Sequence, residues 1–194
     1  TYAAVRRIRY VKGPTAQGVT EAWTAHRAAE LSDANATIPT KPAITGGKVV
    51  IGLISLPYDS DDLAVLDALT TRVIPTSENL FELTGATDPE GTADLLNMLQ
   101  VIYDIAPGAT VVLGSPGIDS TPAQMHTLID QLVAGSGSVG STDYFPSVNI
   151  IVDDLDFRTQ NPFEVGEISE AIVDARAAGV LYITAAGDGG HYET

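Results

Sequence analysis

With 194 residues, 44% of them hydrophobic and 18% charged, the chain has the size and make-up of a globular domain with enough apolar side chains for a core. Its 25 acidic and 10 basic residues give a formal net charge of −15, which repels nucleic-acid phosphates and anionic membrane surfaces and argues against both as partners. There is no cysteine, so disulfides, thiolate catalysis and cysteine–zinc centres are excluded within these residues.

No apolar run approaches the ~20 residues of a membrane span. The stretch after Thr1 lacks the basic-then-apolar layout of a leader, so an export signal is expected to lie outside this chain. An acidic surface also suits a protein that works at low pH, because it limits positive charging as pH falls.

Residues 1–46 are mixed and read as an N-terminal extension or linker. Tyr2 to Val11 alternates arginine with apolar residues and predicts a short strand, broken at Gly13-Pro14. Val19 to Leu31 has helical spacing, and residues 32–47 read as a surface loop.

From residue 47 the pattern becomes regular and reads as the first part of one α/β domain. The run KVVIGLISL (48–56) is almost continuously apolar and β-branched, as a strand covered on both faces requires. Asp61 to Arg72 reads as a helix. Pro89 to Tyr103 reads as a stronger one, with Asp88 at the N-cap and Pro89 in the first turn. Further strands are predicted at Thr110–Gly114, Val148–Val152 and Val180–Ala185. Helices are predicted near Pro122–Val133 and over Phe163–Ala178, the second stopped by Gly179. A Gly/Ser-rich loop spans 135–142. Strands alternating with helices of this length imply βαβ crossovers and a doubly wound, mostly parallel sheet with helices on both faces. In such sheets ligands bind beyond the carboxyl ends of the strands, here just after residues 56, 114, 152 and 185.

Two constellations lie near those ends. In DPEGTAD (88–94), a helix starting at Pro89 would place Glu90 and Asp94 at i and i+4 on one face. At roughly 5 Å and an effective dielectric of about 20, their repulsion is on the order of 3 kcal/mol. Sharing a proton relieves it and yields a general base suited to acid conditions. The plain alternative is a solvated first turn, where acids are favoured by the helix dipole. At the other constellation, VLYITAAGDGG (180–190), Asp188 would face the cleft and, protonated, could donate to a developing oxyanion. The alternative there is an ordinary Gly/Asp turn.

Four blocks in order carry a resemblance to the subtilisin and sedolisin superfamily of serine peptidases, from about Gly18 to Gly190: KVVIGLIS, then DPEGTAD with MLQVIYDIAPGATVVL, then NIIVDDL, then AAGVLYITAAGDGG. The details are similar to the sedolisin branch. Subtilisins carry an Asp just after the first core strand, where this chain has Ser55, Leu56 and Pro57. They carry His-Gly-Thr-His at the helix start, where this chain has Glu90-Gly91-Thr92-Ala93. Sedolisins replace that His with Glu, place an Asp four residues later, as Asp94 is here, and end the oxyanion strand in Gly-Asp, as Gly187-Asp188 does.

The resemblance implies a secreted endopeptidase in which Glu90, Asp94 and Asp188 are catalytic and Asp153 and Asp154, in the strand that pairs with substrate, contact the peptide. It also implies a nucleophilic serine in a Gly-Thr-Ser motif, which does not occur in these residues; Gly140-Ser141-Thr142 has another order and lies too early. The serine, and a sedolisin calcium site built from C-terminal residues, are expected outside this chain, supplied by a continuation or by a second chain. No cofactor is expected within it. The rival expectation is a non-catalytic binding or assembly module that keeps the fold. Asp153, Asp154 and Asp156 follow a strand's carboxyl end, where they could contact a basic substrate or a cation, with a solvated rim as the plain and favoured alternative; Trp23 fits core packing, and His26, His126 and His191 form no pattern. Gly46-Gly47 and Gly114–Gly117 lack phosphate-loop spacing.

Overall fold

The computed structural model describes residues 45–59, 61, 80–83, 85–135, 145–157 and 165–185. The readings made over residues 1–44, over all but the first residue of the 61–72 segment, and at Gly140–Thr142, Asp188 and His191 lie outside the described residues.

Five parallel strands form one sheet: β1 (Val50–Ile54), β2 (Leu80–Glu82), β3 (Thr110–Gly114), β4 (Ile150–Asp153) and β5 (Leu181–Thr184), in the order β2-β3-β1-β4-β5. Among the described residues three helices connect them: α1 (Asp94–Ile105) between β2 and β3, α2 (Pro122–Ala134) between β3 and β4, and α3 (Glu167–Ala177) between β4 and β5. This is the α/β architecture that the alternating pattern predicts. None of these helices is long and apolar enough to cross a membrane.

The two-sided cover of the sheet follows from the period-2 alternation of side chains along each strand. Leu53, Val111 and Leu113 face α1 and pack with its Leu95, Leu96, Met98 and Leu99. Ile54, Val112 and Ile151 face the other way, onto Met125, Leu128, Ile129 and Leu132 of α2 and Ala171 and Ala175 of α3. Because β1 is central and feeds both cores, it must be apolar without alternation, which is why VVIGLI reads as a continuous run. Gly52 belongs to the α2 side, where a Cβ would lie 3.0 Å from a Leu132 methyl; its bare backbone brings α2 close to the sheet.

Local chemistry fixes the helix ends. Thr121 caps α2 through its Oγ1, which accepts from the Gln124 amide at 3.3 Å, while Gln124 Oε1 accepts from the Thr121 amide at 2.8 Å, a reciprocal box with Pro122 at the first position. Gly135 ends α2 in the left-handed region at φ +69°, and Gly179 follows α3 at φ +90°.

The structure departs from the sequence reading in three places. β2 is a three-residue edge strand, too short for any alternation to show. α3 begins at Glu167 rather than Phe163, with Gly166 as its N-cap. α1 begins at Asp94, five residues later than Pro89, so Glu90 is not in the helix. On β5, Leu181 and Ile183 are 56% and 47% exposed, an apolar face left open among the described residues.

Candidate functional site

Parallel pairing aligns the strand ends. Ile54 pairs with Gly114 on one side and Asp153 on the other, Asp153 with Thr184, and Glu82 with Leu113. The carboxyl ends of all five strands therefore share one rim, and the strand order reverses about β1, the place where open α/β sheets form their crevice.

The Glu90 segment is built onto this rim by the residues that leave β1. Thr92 N–H donates to Pro57 O at 2.8 Å, Asp88 N–H to Tyr58 O at 3.0 Å, and Tyr58 N–H to Ala86 O at 2.9 Å. Asp88 caps a turn rather than a helix: its Oδ1 accepts from the Glu90 amide at 2.8 Å and its carbonyl from Gly91 N–H at 2.8 Å. Gly91 makes the close fit, because a Cβ there would lie 2.3 Å from the Tyr58 carbonyl carbon and 2.6 Å from the Asp59 nitrogen. The Glu90 and Gly91 amides turn back to Asp88 and the Thr92 amide goes to Pro57, and the helix starts at Asp94.

This corrects the expected geometry of the acid pair. Glu90 is exposed in a turn, and Asp94 is the first residue of α1, partly buried. Their relation is therefore that of a docked turn and a helix N-terminus, not two rungs of one helical face. Thr92 links them locally: its Oγ1 donates to Asp94 Oδ2 at 3.1 Å and sits 3.5 Å from the Asp94 amide. Ala93, the N-cap of α1, makes no side-chain cap, and Asp94 is the acidic residue of the first turn, where the helix dipole favours an anion.

Asp153, the last residue of β4, is 5% exposed. Its Oδ1 accepts from the Leu155 amide at 2.8 Å, and its Oδ2 accepts from the Tyr182 and Thr184 hydroxyls, each at 3.1 Å. The Asp153 carbonyl accepts from Ala185 N–H at 3.0 Å. Burial pushes the carboxyl up to about 6, against the pull of these donors. The same burial, together with the adjacent carboxylate, holds the Tyr182 phenol far above its ordinary range. Asp153 is thus engaged within the protein, fastening the end of β5 to β4, which sequence reading missed. The signal was present: Tyr182 and Thr184 stand two apart, on one face of a strand parallel to β4.

Asp154 is also buried, its amide donating to Ile54 O at 3.3 Å, and Ser55, which follows Ile54, is buried with its amide donating to Gly114 O at 3.3 Å. Asp188 follows β5 and lies outside the described residues, so the structure brings Glu90, Asp94, Asp153 and Asp154 to one rim and leaves the fifth candidate unplaced. His126 sits on α2, 3.4 Å from Asp130. Among the described residues no group of three His, Asp or Glu side chains is placed to hold a metal ion.

Comparison with protein-family models gives no match to this chain, and comparison with curated proteins gives none either.

Proposed function

We propose that this chain forms part of a secreted, acid-acting serine-carboxyl endopeptidase of the sedolisin type. Glu90 takes the proton from the hydroxyl of a serine supplied elsewhere in the polypeptide as that oxygen attacks the scissile carbonyl. It then returns the proton to the leaving amine. Asp94 orients Glu90, and Asp188, in its protonated form, donates to the oxyanion of the tetrahedral intermediate. The peptide lies over the residues that follow β4, near Asp153 and Asp154, with Asp153 acting through its hold on β5.

The observation that carries this reading is the docking of the Glu90 turn onto the exit of the central strand by three main-chain hydrogen bonds. A merely solvated acidic turn has no need of a glycine whose missing Cβ lets it lie against backbone. The four sequence blocks and the parallel sheet with helices on both faces add support. The second reading, a binding or assembly module, is favoured by one observation, the lack of Gly-Thr-Ser in these residues.

Intact mass measurement and peptide mapping of the natural polypeptide separate the two. A linked or co-purifying segment with Gly-Thr-Ser, whose serine-to-alanine change lowers cleavage by a factor of about 10⁶, supports the peptidase. A polypeptide without such a serine and without a partner that carries one sinks it.

A further inference from the structure

We infer that Tyr58 is a positioning residue for the Glu90 turn, held in place by the carboxylate of Glu82, an assignment that rests on the reading of Glu90 as the general base. Tyr58 joins the exit of β1 to the Glu90 turn, to the start of α1 and to the end of β2. Its main chain carries the turn: the amide donates to Ala86 O, the carbonyl accepts from the Asp88 amide, and the residue pairs in parallel with Thr87. Gly91 rests directly on its carbonyl carbon. Its side chain is 1% exposed among Leu95, Leu96 and Leu99 at the start of α1. The phenol O–H emerges from that core to donate to Glu82 Oε1 at the end of β2.

The geometry separates packing from positioning. The ring alone would satisfy the core, and phenylalanine has the same ring. The hydroxyl adds a fixed distance between β2 and the strand exit that carries the turn, and a buried phenol needs such a partner. Glu82 is exposed and fills no core space, so its use here is as the acceptor. Main-chain bonds hold the turn to residues 57–58, and the phenol–carboxylate bond holds residue 58 to the sheet. Glu90 therefore sits at a position set by β1 and β2 together.

Amide hydrogen exchange on the full chain, compared for the native protein, Tyr58→Phe, Glu82→Ala and Glu82→Gln, tests this. Protection at the Asp88 and Thr92 amides falls about tenfold in Tyr58→Phe and in Glu82→Ala, while the α2 amides keep theirs. Glu82→Gln, which retains a carbonyl acceptor, restores protection at both. Glu82→Ala touches no core atom, so it reads the bond even if the tyrosine variant folds poorly. A uniform fall across helices and sheet, or unchanged protection at Asp88 and Thr92, overturns the assignment.

The exchange result stands whether or not the molecule cleaves peptides. In a polypeptide that does cleave them, Tyr58→Phe lowers kcat about tenfold with KM unchanged. Full kcat in that variant overturns the role of Tyr58 and leaves that of Glu90 intact.

Discussion

Burying a carboxylate costs free energy unless donors surround it. Asp153 has three donors, yet burial still raises it to about 6 from an ordinary 3.8. The sign of the consequence is fixed by linkage. The folded state holds the proton more tightly than the unfolded one, so stability from this group is full below about pH 4 and is lost as pH rises through about 6. The difference amounts to on the order of 2–3 kcal/mol. Urea unfolding between pH 4 and pH 7 should therefore show Asp153→Asn with a weaker decline of stability toward neutral pH than the native chain. Equal slopes would mean that Asp153 titrates alike in both states.

Gly91 makes a second prediction at this scale. In Gly91→Ala the new methyl meets backbone at 2.3 Å, which no side-chain rotation relieves, so the turn must lift. Such overpacking costs about 1–3 kcal/mol, measured as a lower unfolding midpoint in denaturant. The acid pair was legible at this scale as residue types and spacing in DPEGTAD. Its geometry was not, because the bonds that hold the turn go to Pro57 and Tyr58, far earlier in the chain.

Among the elements, the strands were the most legible. β1, β3 and β4 are largely buried runs rich in Val, Ile and Leu, β5 is an apolar but exposed one, and their ends differ from the sequence reading by at most two residues. β2 was missed because Leu80–Glu82 is too short to show a period. The start of α1 was misread because Asp88-Pro89 has the chemistry of a helix start; Asp88 instead closes a local turn, and the tertiary bonds to Pro57 and Tyr58 hold that turn against the exit of β1. α2 was read correctly at its start because Thr121, Pro122 and Gln124 satisfy one another locally. That box predicts its own test: Thr121→Ala should destabilise the protein by about 1 kcal/mol, seen as a fall in unfolding midpoint with an unchanged denaturant slope.

At the scale of the whole molecule, a parallel sheet with β1 at its centre collects every strand end on one rim, and the candidate residues follow from that topology. The alternation of strands and helices made the fold class legible. The order of the strands was not, since pairing depends on contacts between segments far apart in sequence. The net charge of −15 favours a molecule at ease in acid, where carboxylate repulsion is relieved. That setting agrees with the proposed chemistry, in which Asp188 must keep a proton while Glu90 accepts one.

Peptide cleavage at acid pH by the natural polypeptide, compared with its Glu90→Gln form, tests the central claim most directly. Glutamine preserves the size and exposure of the side chain but cannot take the serine proton. Cleavage that peaks at acid pH and falls by a factor of about 10³ or more in Glu90→Gln is the result expected of a general base. Equal cleavage by both forms, or none by the natural polypeptide, would contradict the account.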